Sequence, residues 1–381
     1  MLSGDRAVAV GERGPFYFMQ EEFSKHWERV DVLCPRPDRP VTVRTIHERV
    51  HMHPADCGRL GMVGYLKREG ARLLAEHGHD LLVSHDYGLF YNGVAAAALA
   101  RASSTPWVSE IHHVPGRPRA ANARERIDPL LNGLFVKFAL ARGVRAFRVV
   151  NRGEMVPFLK SWGVPDSKIL VLSSLYLDLD ALRPRAGVAK DVDVLLVGRL
   201  VANKGVANLI DALAQRRAEG VPLRARIIGK GPLRASLEAR ARGRGLGGAV
   251  EFLDWVAGKE ELAEQYRRAR VLVCASLNEG GPRVTCEAMA CGTPCVTTRV
   301  GVMPDLVRHG ENGWLCGFDA ASIAAALREA LGDEAAYARG AAACRAAVEP
   351  YEFRATIAAY AKGLQACARA GAPAVAAGAT A

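Results

Sequence analysis

The stretch NEGGPRVTCEAMACGTPCV, residues 278–296, runs a glycine turn straight into a short helix and carries two glutamates, Glu279 and Glu287. Glycines in the turn Glu279-Gly280-Gly281-Pro282 let backbone amides approach a ligand closely. The helix expected to start near Arg283 aims unsatisfied N–H groups and its positive dipole end at the same spot, so an anion is expected there. Glu287 lies one turn into that helix and can accept two hydroxyl hydrogen bonds, as acidic residues do with ribose diols. Glu279 stands on the turn, nearer to whatever the anion carries. Read in isolation, the same pattern also suits an ordinary loop with an acid at a helix start.

Upstream, VDVLLVGRLVANKG (192–205) reads as a buried strand from Val192 to Val197 that leaves through Gly198 into a loop, followed by a helix from about 206 to 217. Arg199 and Lys204 therefore sit at the carboxyl end of a strand, the edge where open α/β sheets bind ligands. A planar guanidinium beside a compact ammonium suits the two phosphates of a nucleoside diphosphate. Two other phosphate motifs fail on spacing. Asn203 replaces the glycine before the lysine of a nucleotide-triphosphatase loop, and Gly205 replaces its Ser/Thr. In GKGPLR (229–234), Arg234 stands where the third glycine of a dinucleotide fingerprint belongs, which argues against a hydride-transfer cofactor.

Together with VEFLDWV (250–256) and NGWLC (312–316), these segments resemble the retaining glycosyltransferases of family 4, the glycosyl transferases of group 1. The resemblance covers about residues 191 to 318 strongly and fades before residue 105. It implies the GT-B fold, two Rossmann-like α/β domains facing each other across a cleft. It also implies that Glu279 lies beside the donor sugar, Glu287 binds the ribose, and Arg199 and Lys204 grip the diphosphate. Gly280, Gly281 and Val284 would offer amides to sugar hydroxyls and phosphate, and backbone near Val256 would face the base. The implied donor is a nucleoside diphosphate sugar, most commonly uridine-linked, used without a divalent metal. The implied acceptor is a hydroxyl of a polysaccharide, glycolipid or secondary metabolite. Other chemistry on the same fold, as in a sugar-nucleotide epimerase or phosphorylase, and a non-catalytic basic nucleotide- or nucleic-acid-binding protein are the alternatives.

The amino-terminal half carries fainter signals. PWVSEIHH (106–113) reads as a strand ending in two histidines. The family places a strand-end histidine against the donor sugar, and by register His112 fits that step, with His113 the alternative. The opening departs from the family's long first strand: AVAV (7–10) is the apolar run available before a loop with Gly11 and Gly14, the expected acceptor-side loop. No four-ligand spacing of His and Cys suggests zinc.

A chain of 381 residues with 50% hydrophobic positions exceeds one core and predicts two domains. The boundaries expected are 1–180, a linker at 181–191 and 192–350. A helix at about 351–368 completes the first domain, and 369–381 forms a low-complexity tail. No run of eighteen apolar residues and no signal-peptide order appear, so a cytoplasmic location is expected. The nine cysteines read as reduced core residues. A formal charge of +11 suits phosphate-bearing partners in general, and the arginine-rich segment 117–148, interleaved with leucines, suits peripheral contact with a membrane.

Overall fold

The computed structural model describes residues 1–254, 256 and 258–369; the low-complexity tail expected beyond Arg369 lies outside the described residues. The chain divides into two compact units. One comprises Met1–His113, Leu130–Ser174 and the segment from Arg354 onward; the other comprises Val114–Pro129 and Leu175–Phe353.

In the first unit β1 (Val30–Cys34) pairs in parallel with β3 (Val50–Pro54), whose other edge takes the short antiparallel β2 (Thr45–Ile46). A second parallel set orders β4 (Leu82–His85), β5 (Trp107–Glu110), β6 (Ala146–Val149) and β7 (Ile169–Val171). The first three residues join the two sets. Leu2 donates to Val83 O at 2.7 Å and accepts from His85 N at 2.9 Å, while Ser3 donates to Leu33 O at 2.9 Å. The run AVAV, the candidate for a short opening strand, is instead a turn of 3-10 helix at Val8–Val10 closed by Gly11, and Leu2 occupies the strand position. Four apolar residues in a row carry no period, so neighbours rather than sequence decide between strand and helical turn.

The second unit holds a six-stranded, wholly parallel sheet of β8 (Val192–Val197), β9 (Ala225–Ile228), β10 (Val250–Leu253), β11 (Ala269–Cys274), β12 (Cys295–Thr298) and β13 (Gly313–Cys316). Its order is β10-β9-β8-β11-β12-β13. Helices cover both faces, so β8 alternates between two cores: Val194 and Leu196 pack with Leu209 and Trp314, whereas Leu195 and Val197 pack with Tyr266 and Met289. A strand buried on both sides needs apolar residues at nearly every position, which is why VDVLLV reads as an unbroken run.

The helix Ala320–Gly332 seals one face through Ile323 and Leu327 and is capped by Asp319, whose carboxylate accepts from Ser322 N at 2.9 Å. Asp319→Ala should lower unfolding free energy by about 0.5–2 kcal/mol in urea titrations; an unchanged midpoint would show the cap to be idle.

Residues 181–191, expected as a linker, belong to the second unit. Leu182 is buried in its core, and Arg267 donates to Ala181 O at 3.0 Å and to Arg183 O at 2.8 Å. Their proline, glycine and charge content reflects a surface turn held by arginine. Eight of the nine cysteines are buried, and burial pushes the Cys291 and Cys316 thiols up to about 12.

Candidate functional site

Counted within its own unit, the second sheet has the strand order 3-2-1-4-5-6, with the reversal between β8 and β11. The carboxyl edge at such a reversal is the place where open α/β sheets bind nucleotides. The loop after β8 carries Arg199 and Lys204, and the loop after β11 carries Glu279, so topology alone brings the two sequence motifs together.

Their contact is close. Gly205 adopts φ +63°, and a Cβ there would fall 1.9 Å from Ala275 O, so a side chain at this position would force the loops apart. Leu277 N donates to Asn203 O at 2.7 Å across the same joint. Lys204 Nζ then meets Glu279 Oε1 in an ion pair, and Ser276 Oγ donates to the same oxygen at 2.7 Å. Both partners keep under a fifth of their side-chain surface exposed. Arg199 is exposed on the loop, and among the described residues its guanidinium has no ion-pair partner. The glycine turn after β9, set aside as a dinucleotide fingerprint, packs beside this loop: Leu200 N donates to Lys230 O at 2.8 Å.

The helix Arg283–Ala290 follows the turn as expected, with Gly280 and Gly281 leading into it and Val284 in its first turn. Glu287 is held on two sides. Tyr266 OH donates to Oε2 at 2.8 Å and Arg283 Nε to Oε1 at 3.1 Å. Arg283 is itself fixed by Tyr176 O at 2.8 Å and lies over the Tyr176 ring at 4.4 Å. Burial, reinforced by the charge of Glu287, holds the Tyr266 phenol well above its ordinary value, so it remains a donor. The carboxylate is thus oriented in advance and retains lone pairs for further donors. Val256 is half-buried against the core that contains Leu195 and Tyr266; its neighbour Trp255 is outside the described residues.

Sequence reading missed several of these partners. Arg283 was recoverable, since it stands four residues before Glu287 on one helix face. Tyr266 lies on a different helix, and no local spacing signals it.

His112, Gly11 and Gly14 belong to the first unit. His112 follows β5 and is the half-exposed end of a buried ionic group. Its Nε2 lies 3.0 Å from Glu110 Oε2 and 2.6 Å from Arg148 NH1. Glu110 also meets Arg148 at 3.2 Å and accepts from Tyr360 OH at 2.7 Å. Burial of Glu110 would raise its carboxyl, but Arg148, His112 and His85 outweigh that and hold it below the usual carboxylate range. His113 is half-buried beside it. Gly11 takes φ +82° at the end of its 3-10 turn, and Gly14 precedes the helix Pro15–Phe23 in extended conformation. Among the described residues no group of three or more His, Cys, Asp or Glu side chains is arranged to hold a metal.

Both units are similar to known proteins. Residues 180–346 match the family model for glycosyl transferases group 1, and residues 20–174 match that for a glycosyl transferase 4-like domain. The D-inositol 3-phosphate glycosyltransferase of Geodermatophilus obscurus is 41% identical over 165 residues, which are 40% of this chain and 36% of that protein. The glycogen synthase of Mycobacterium tuberculosis is 31% identical over 297 residues, 71% of this chain and 63% of the relative. The chain therefore spans between about a third and two thirds of the length of these relatives. Sucrose-phosphate synthase from Thermosynechococcus elongatus has the same fold at TM-score 0.77 and 21% identity, covering 96% of this chain and 97% of that one. Anabaena HepE in complex with UDP and glucose matches at TM-score 0.71 and 20% identity, covering 96% and 98%. These matches identify the two Rossmann-like units as those of the GT-B fold, and the chain belongs to the glycosyl transferases of group 1.

Proposed function

We propose that the protein is a retaining glycosyltransferase that moves a hexose-type unit from a nucleoside diphosphate sugar, uridine-linked in the first instance, to an acceptor hydroxyl. The observation that carries this reading is the Lys204–Glu279 pair at the strand-order reversal of a parallel sheet. As the anomeric bond stretches, negative charge gathers on the leaving diphosphate. Arg199, Lys204 and the start of the Arg283 helix supply fixed positive potential there, the preorganised stabilisation that lowers a barrier most. Amides of Gly280, Gly281 and Val284 hold the donor's oxygens, and backbone at Val256 faces the base.

Glu287 binds the ribose diol, with Tyr266 and Arg283 keeping its carboxylate in one orientation. Glu279 orients the donor sugar and is not a double-displacement nucleophile. Attack comes from the face that the diphosphate leaves, and the phosphate takes the acceptor's proton. His112 contributes to the donor sugar from the first unit, and Gly11 and Gly14 shape the acceptor-side loop. No metal ion is required, since lysine and arginine supply the positive charge.

The protein works in the cytoplasm. Of the segment 117–148, the helical part rests peripherally on the membrane, where Leu130, Leu131 and Leu134 are exposed beside Lys137 and Arg142, whereas Arg148 is buried in β6. Among the described residues no helix is long and apolar enough to cross a membrane.

A thermal-shift panel of nucleoside diphosphates and their sugars tests the donor assignment, because a ligand that binds the folded state raises its melting temperature. Glu287→Ala should weaken nucleotide binding by about tenfold or more, the loss of one or two hydrogen bonds to a charged group. Glu279→Ala should spare binding of the bare nucleotide and impair sugar transfer. Equal nucleotide affinity in wild type and Glu287→Ala contradicts the ribose role. Activity lost to a chelator and restored by a divalent ion contradicts the metal-free mechanism.

A further inference from the structure

The segment Val114–Pro129 packs within the second unit, beside the loop that bears Glu279. Gly116 takes φ +82°, and a Cβ there would lie 1.9 Å from Glu125 O, so glycine is what lets the segment fold back on itself. Glu125 is turned inward: its carboxylate accepts from Ala121 N at 2.8 Å, Asn122 Nδ2 at 3.1 Å and Asn278 Nδ2 at 2.8 Å. Asn278, only 2% exposed, donates as well to Arg119 O at 2.9 Å, and Arg119 N donates to Leu277 O at 3.2 Å. The segment is thus pinned to the residue immediately before Glu279.

This fold spends Glu125 on one backbone amide and two asparagine side chains, and leaves Arg119, Arg124 and Arg126 without an acid among the described residues. Arg119, Arg124 and Arg126 are exposed, and among the described residues their guanidinium groups have neither a hydrogen-bond nor an ion-pair partner. That sets them apart from Arg226, Arg240, Arg267 and Arg268, each paired with an acid. Arg119 reaches over Phe318, 5.9 Å from the ring centroid, and Phe318 O accepts from Asn208 on the helix that follows Lys204. Its guanidinium therefore lies along the same carboxyl edge of the sheet as the candidate site.

We propose that Arg119, Arg124 and Arg126 form a receptor for a phosphate group on the acceptor, held next to Glu279 by Asn278. Three guanidinium forks match a dianionic, multi-oxygen group better than a neutral hydroxyl acceptor. The proposal rests on the donor-site reading above, because it assigns the neighbouring diphosphate contacts to Arg199 and Lys204.

The test titrates inorganic phosphate into full-length protein saturated with UDP, by calorimetry. Wild type should bind phosphate with the nucleotide site filled. The variant Arg119→Gln/Arg124→Gln/Arg126→Gln should bind it about tenfold or more weakly, from the loss of charge-assisted hydrogen bonds. Its UDP affinity should stay within about twofold of wild type, since exposed charges outside the nucleotide contacts are largely screened by salt. The lysine counterpart, Arg119→Lys/Arg124→Lys/Arg126→Lys, should recover part of the loss.

Phosphate affinity equal in wild type and the glutamine variant overturns the proposal, as does a wild type that binds UDP but no phosphate. Failure of UDP itself to bind would strike the donor reading instead, and the same comparison without nucleotide would still decide the arginine site. Sedimentation with phosphatidylcholine vesicles containing phosphatidic acid separates two sources of the group. Pelleting that the glutamine variant loses assigns a lipid-borne phosphate, and phosphate binding without pelleting assigns a soluble one.

Discussion

Lys204→Ala should reduce turnover by about 100- to 1,000-fold, the effect of removing one preorganised donor, about 2.7–4 kcal/mol. The lysine approaches the crevice with most of its surface covered, and its amine is already localised by Glu279 and the tight joint at Gly205. Little further ordering is needed when charge builds on the leaving group. Folding should change far less. Glu279 keeps the hydrogen bond from Ser276 when the lysine is removed, so the variant should remain folded while its chemistry fails. Initial rates of nucleotide release in the presence of acceptor measure the loss, and Arg199→Ala should show a steep one too. Unchanged turnover in both variants would remove the diphosphate assignment.

The second large effect is on stability. Arg148→Ala should cost about 3–5 kcal/mol, because it strands a buried carboxylate. Glu110 and Arg148 are register partners on β5 and β6 and are almost fully buried. Arg148 NH2 also donates to Ser173 O at 2.7 Å, and its guanidinium lies 4.6 Å from the Tyr360 ring centroid. The alanine variant therefore loses the anchor between β6 and the carboxyl-terminal helix along with the charge. Urea unfolding with hydrogen exchange read at β5 and β6 amides measures it; protection equal to wild type would show that the carboxylate finds other compensation.

The pH dependence has a definite sign. Glu110 is held below its unfolded value of about 4.3, so the pair's contribution is complete above that pH. It is lost only as pH falls through the depressed folded value. His85 acts earlier. Burial lowers it to about 4, so from about pH 6.5 downward the unfolded chain takes up a proton that the folded one refuses, and stability declines across that interval. His85→Phe should flatten the decline between those limits while leaving the drop in stronger acid.

The motifs of the candidate site were legible in sequence because each is local. A doubly buried strand writes itself as VDVLLV and a glycine turn before a helix as EGGPR; the Arg283–Glu287 pair is written as a four-residue spacing too, but was missed. AVAV was not legible, since a short apolar run fits a strand and a 3-10 turn equally, and the backbone of β1 and β4 had already taken Leu2 as their neighbour. The 181–191 stretch misled for a related reason: composition marks a surface turn, whereas attachment to one unit depends on Arg267 from a distant helix.

By itself the sequence determined the α/β class, the two carboxylates and two cations in the segments after β8 and β11, and the likeness to group 1 glycosyltransferases. Tertiary structure alone decided that Lys204 meets Glu279, that Tyr266 fixes Glu287, and that Glu110 gathers His112, Arg148 and Tyr360. It also decided that Asn278 anchors the arginine segment beside the site. The division has a physical cause. Helical and strand periods report which faces are buried, but the partner across a crevice is set by strand order, and strand order has no signature in the residues that it brings together.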